Sequence, residues 1–186
     1  MVEKGRLSRR DWLDAARLEL QERGLEGVKV ERLARRLGVS KGSFYWHFKN
    51  RGELLGGLLS YWEEMTDWLI QESSQAESPK LRMSRLFELI AEMEVTGEAA
   101  IFTWAKQDSE VKKRVKRVED KRVGFLQELF VQHGYSAQES RERAQIGYLA
   151  FEGYVHRLEP DTSFTFAEFG QVLLDLLFAP TEGEIQ

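Results

Sequence analysis

The segment Leu33-Ala-Arg-Arg-Leu-Gly-Val-Ser-Lys-Gly-Ser-Phe-Tyr-Trp-His-Phe-Lys-Asn-Arg-Gly-Glu-Leu-Leu55 decides the fold. Five ring-bearing residues in a row, Phe44 to Phe48, stand between basic side chains. Side chains four apart share a helix face, so Phe44 and Phe48 point together into a core, and the three rings between them must point elsewhere. Just upstream, Val30, Leu33, Ala34 and Leu37 recur at helical spacing and predict a short helix from Val30 to Leu37. Gly38 supplies the left-handed residue that ends it, and the Ser40 hydroxyl is placed to cap the next helix. Two short helices joined by Gly38-Val39-Ser40, with Val39 plugging the angle between them, have the dimensions of a helix-turn-helix.

On the second of these helices the outward faces carry Lys41, Gly42, Ser43, Tyr45, Trp46 and His47. Small residues near its start let such a helix sit deep in a DNA major groove. Tyr45, Lys49 and Arg51 then lie where phosphates would pass, and Lys41, Ser43 and His47 face base edges. The alternative for Tyr45 is a buried phenol, which would need a partner for its hydroxyl. For the whole motif it is a helical hairpin in a protein-interaction adaptor. The charge distribution favours DNA: residues 1–52 hold 13 Lys and Arg against 7 Asp and Glu, while residues 53–186 hold 14 against 24. A head of net +6 on a body of −10 is the electrostatic footprint of a nucleic-acid-binding domain.

The pattern outward from this segment is helical nearly throughout, which predicts an all-α fold with a domain boundary at 52/53. Ser8 to Asp11 reads as a capping box opening a helix that Gly24 stops. Asn50 to Glu53 reads as another, opening a helix through Leu69. Gln71–Ser78 reads as a polar loop, followed by helices over Leu81 to about Val95, Glu98–Lys106, Ser109 or Glu110 to Gly134, Ser136 to about Leu158, and Phe166 to Phe178. Pro160 to Thr165 reads as a loop, and the acidic stretch from Pro180 as frayed. The last segment is apolar on too many sides to face solvent alone, which predicts a homodimer joined through Ser136–Leu158 and Phe166–Phe178, with Leu173 and Leu177 in the interface.

Other chemistries find little support. With no cysteine, disulfides, thiol catalysis and thiolate zinc sites are excluded, and a reducing cytoplasm fits. His47, His133 and His156 stand in no metal-ligand spacing, and Glu92 and Glu94 cannot face one another on a helix, so neither a metal, a cofactor nor catalysis is expected. No apolar run is long enough to span a membrane, and Met-Val-Glu-Lys-Gly-Arg has no signal-peptide apolar region, so a soluble cytoplasmic protein is expected. Lys112, Lys113, Arg114, Lys116 and Arg117 read as the solvated face of a helix, a second nucleic-acid surface being the alternative.

The stretch Glu26–Leu55 resembles the DNA-binding signature of tetracycline-repressor (TetR) family regulators, ungapped over about 45 residues from Ser8 or so to Leu55. The resemblance implies an all-helical homodimer with a three-helix DNA head and a ligand-binding body. It further implies a repressor that binds a palindromic double-stranded operator and releases it when a small-molecule effector enters. An activator, or a DNA binder without a ligand, keeps the same signature. The family's base-reading positions fall on Lys41, Ser43 and His47, its phosphate contacts on Tyr45, Lys49 and Arg51, and its turn glycine on Gly38. Ser40, Gly42 and Trp46 complete the DNA face. Lys29 departs from the pattern: the family has a hydroxyl there that caps the helix, whereas a lysine cannot accept the capping bond but can reach a phosphate. For the body, the resemblance implies a cavity drawn from Trp62, Met65, Met93, Phe102, Trp104, Tyr148, Phe151, Glu152 and His156.

Overall fold

A computed structural model of the chain describes residues 7–93, 97–157 and 163–180, and these residues form helices and their connections with no strand. In chain order the helices are α1 (Arg9–Arg23), α2 (Val30–Leu37), α3 (Lys41–Phe44), α4 (Arg51–Ser73), α5 (Pro79–Glu92), α6 (Glu98–Ala105), α7 (Ser109–His133), α8 (Ala137–Val155) and α9 (Phe166–Leu177), with a 3-10 turn at Leu25–Gly27. The expected ends at Val95 and Leu158, and the Pro160 side of its loop, lie outside the described residues.

The chain divides into two compact units, residues 1–65 with 96–115 and residues 66–95 with 116–186. In the first, the capping box at Ser8 forms as the sequence predicts: its hydroxyl accepts from the Asp11 amide, and the Asp11 carboxylate takes the Ser8 amide at 2.6 Å. Glu19, buried on α1, accepts from Arg36 of α2 at 2.7 Å, and Arg36 also donates to Glu22 at 2.5 and 3.0 Å. These carboxylates hold the Arg36 guanidinium well above its ordinary range. Trp12, Leu20, Val28, Leu33, Phe44, Phe48, Leu54 and Leu58 fill the core of this unit. At α4 the Asn50 side chain caps the Glu53 amide at 2.9 Å, while Glu53 reaches back one residue further than a capping box requires, to the Lys49 amide at 2.8 Å.

The second unit is built on Met83 of α5, Leu126, Leu129 and Phe130 of α7, Ala144 and Tyr148 of α8, and Leu173, Leu174 and Leu177 of α9. Two expectations change here. The helix opened at Arg51 runs through Ser73, so the polar stretch expected as a loop is partly helical, and Pro79 itself begins α5 behind a Ser78 cap. Leu173 and Leu177 are buried within this unit. The large apolar side chains left outward on α8 and α9 are Val172 and Leu176 on α9, 51% and 66% exposed, and Ile146 and Leu149 on α8, 58% and 60% exposed.

Candidate nucleic-acid interface

α2 ends at Gly38 in the left-handed conformation (φ 68°), and the Val39 amide closes back on Ala34 O at 3.0 Å. That turn launches α3 across α2. Phe44 and Phe48 point inward, fully buried, and Phe44 meets Trp12 edge-on with ring centroids 5.3 Å apart. Their burial forces the side chains between them outward. Tyr45 is 56% and Trp46 79% exposed, which removes the buried-phenol alternative for Tyr45. The aromatic run is divided between core and surface, as the spacing requires.

The outward face carries Lys41, Gly42, Tyr45, Trp46 and Lys49, all exposed, with Ser43 and His47 half-buried beside them and Lys29 exposed at the start of α2. As expected, Lys29 makes no capping bond. Two features depart from the sequence reading. Ser40 makes no side-chain capping bond, because the Ser43 amide such a cap would take is bonded to the Ser40 main-chain carbonyl at 3.0 Å. Arg51 was expected on the outer side. Its guanidinium instead turns inward, donating to Val28 O and Leu25 O at 2.6 Å each, and ties the start of α4 to the turn before α2. The helical turn of α3 is also brief, ending at Phe44, since Gly42, Ser43, Tyr45, Trp46 and His47 are weak helix formers.

Sequence reasoning missed Glu31. It lies in the first turn of α2, and its carboxylate pairs with the Lys41 ammonium. The Lys41 hydrogen bond holds the Glu31 carboxyl below its ordinary range, and the reverse interaction raises Lys41. A ten-residue separation across a turn of unknown geometry gives no sequence signal for such a pair.

The residues considered for a ligand cavity fall in both units. In the first, Trp62, Phe102 and Trp104 are buried and Met65 half-buried, and the Trp62 indole donates to the buried Glu98 carboxylate at 2.7 Å. In the second, Tyr148 is buried, Phe151 and Glu152 are half-buried, and Met93 and His156 are exposed. Burial and the nearby Glu152 raise the Glu119 carboxyl there. The basic run on α7 is mostly solvated, but Arg114 is engaged, clamping Glu63 of α4 through two bonds of 2.6 and 2.8 Å.

Residues 13–58 match the family model of bacterial regulatory proteins of the tetR family. The chain is 42% identical over 53 residues to the class D tetracycline repressor of Escherichia coli, covering 28% of this chain and 24% of that one. It thus spans about a quarter of the length of that curated relative. The nucleoid occlusion factor SlmA of Haemophilus ducreyi is 28% identical over 142 residues, 69% of this chain and 67% of that one. Among solved structures, AibR in complex with isovaleryl coenzyme A and operator DNA superposes with a TM-score of 0.67 at 20% identity, over 93% of this chain and 99% of that one. With the helix-turn-helix, its buried and exposed rings and the matched segment in hand, residues 13–58 form a DNA-binding head of the kind found in bacterial regulatory proteins of the tetR family.

Proposed function

We propose that the protein is a homodimeric repressor that binds a palindromic operator and releases it when a small molecule enters its body. The observation that carries the DNA contact is the division of the aromatic run. Burial of Phe44 and Phe48 leaves Lys41, Ser43, Tyr45, Trp46, His47 and Lys49 on one outward face of a net-positive segment. Lys41, Ser43 and His47 read bases in this account, and Tyr45, Lys49 and Lys29 contact phosphates. The functional boundary at 52/53 separates the reading head from the responding body.

The dimer rests on the apolar stripe of Ile146, Leu149, Val172 and Leu176, since two half-sites of a palindrome call for a two-fold partner. The effector rests on the ligand-bound state of AibR and on the aromatic side chains of this chain's body. A ligand releases DNA only by binding the DNA-incompetent arrangement more tightly, each tenfold preference being about 1.4 kcal/mol. Helix α4, which contributes residues to both compact units, is the element through which such a preference reaches the head.

A second reading is a DNA binder that needs no ligand, which the same helix-turn-helix and outward face support equally. A thermal-shift screen of small molecules, followed by operator binding with each hit, separates the two. The repressor reading expects a stabilising compound that also lowers operator affinity. Compounds that stabilise the protein yet never alter operator affinity would favour the second.

A further inference from the structure

The Lys41–Glu31 pair places a cation and a carboxylate side by side on the face that carries the other base-reading candidates. An exposed ion pair adds little to folding stability, so stability does not account for a carboxylate on a surface meant for a polyanion. Left to itself there, Glu31 would repel phosphates. Its neighbour changes what it can do: Lys41 offers hydrogen-bond donors, and Glu31 beside it offers only acceptors. In the major groove a G·C pair presents the complementary arrangement, the guanine O6 and N7 acceptors next to the cytosine N4 amino donor. An A·T pair presents a different order of groups, with a methyl at its edge, and leaves the carboxylate without a donor where cytosine N4 would be.

We infer that Glu31 and Lys41 read one G·C base pair in each half-site as a unit, Lys41 donating to guanine and Glu31 accepting from the cytosine amino group. The pair is half-exposed on both sides, with side-chain accessibilities of 51% and 61%, so bases can reach both groups without a rearrangement of the backbone. Pairing with Lys41 also keeps the carboxylate ionised and so fit to accept. Glu31 in addition restrains Lys41 from random phosphate contact, which lowers affinity for non-operator DNA and widens the gap between specific and non-specific binding. This inference rests on the proposed reading of α3 as the DNA-facing helix.

The experiment is selection from a random duplex pool with the full-length wild type, Glu31→Ala, Glu31→Gln and Lys41→Ala. Melting temperatures of the variants serve as a check on folding, and the exposed positions should leave them unchanged. The wild type should enrich a motif with one G·C pair per half-site that Lys41→Ala relaxes. Glu31→Ala should relax the same pair, with discrimination against A·T falling about tenfold, the size of one good base contact. Glu31→Gln, whose amide oxygen still accepts, should retain part of the preference. If Glu31→Ala keeps the full preference, relaxes a different position from Lys41→Ala, or only strengthens binding to all sequences alike, the paired reading is overturned. A wild type that enriches no motif at all would instead overturn the assignment of α3 to DNA.

Discussion

Lys49 and Arg51 stand two residues apart, yet their side chains are engaged differently. Arg51 commits two of its five donors to Val28 O and Leu25 O, whereas the Lys49 side chain is exposed. Lys49→Ala should therefore weaken binding to all duplexes alike and lower the dependence of log K on log salt by about one unit, as loss of one phosphate contact requires. Anisotropy titrations at several salt concentrations check this, and unchanged affinity and slope would remove Lys49 from the interface. A pH effect belongs to this scale as well. Hydrogen bonds from the Ser8 amide and hydroxyl hold the Asp11 carboxyl below its usual range. A carboxylate lowered by folding stabilises above its unfolded pKa, and that contribution fades as pH falls through the folded value. Asp11→Asn should thus lower the melting temperature near neutral pH and make progressively less difference under acid. A melting difference that does not shrink with acid would contradict this. The periodicity of residues 30–48 made the buried pair Phe44 and Phe48 legible, because burial follows spacing. The inward turn of Arg51 and the Lys41–Glu31 pair were not legible, because they depend on which carbonyls and carboxylates the folded turns bring near.

The helix start at Ser8 was legible because its side chain caps the backbone with the reciprocal bonds its spacing implies; Ser136 and Thr165 form the same box, which the sequence reading did not name. Helix interfaces were less so, because an apolar helix does not announce which stripe meets its own chain. In α9 the sequence pointed to Leu173 and Leu177 as the dimer face, but these fill the core beside α8, and Val172 and Leu176 point out. Leu176→Asp should leave the subunit folded and yield monomers in sedimentation analysis; an unaltered assembly, or a monomeric wild type at micromolar concentration, would contradict the dimer face. The α5–α9 packing is tighter. A Cβ added at Gly170 would come within 3.0 to 3.2 Å of Cβ, Cγ and Cδ2 of Phe87. The Phe87 Cβ is fixed to its backbone and cannot swing away. Gly170→Ala gains about 1 kcal/mol of helix propensity but meets an overpacking cost of about 1–3 kcal/mol. The balance should be destabilising in chemical denaturation, and a more stable variant would show that α5 gives way freely.

At the scale of the molecule the account joins a positively charged reading head to an acidic, largely apolar-cored body. The head was readable because turn glycine, buried rings and exposed rings stand at fixed offsets within one short segment. The body was readable as helices but not as a binding site: the residues considered for a cavity differ widely in burial, from Phe102 and Tyr148 in cores to Met93 and His156 at the surface. Side chains that line a cavity and side chains that fill a core have the same composition, so only arrangement distinguishes them. The central claim is that the head recognises a specific duplex as part of a two-fold assembly. Its most direct test is a binding titration of the full-length protein on the duplex upstream of its own gene, against an unrelated duplex of equal length at about 0.15 M salt, with stoichiometry read from the same complexes. The account predicts saturable binding by two chains, or a multiple of two, per site, at least about a thousandfold tighter than to the unrelated duplex. Equal affinity for both duplexes, or a saturated complex with a single chain per site, would contradict it.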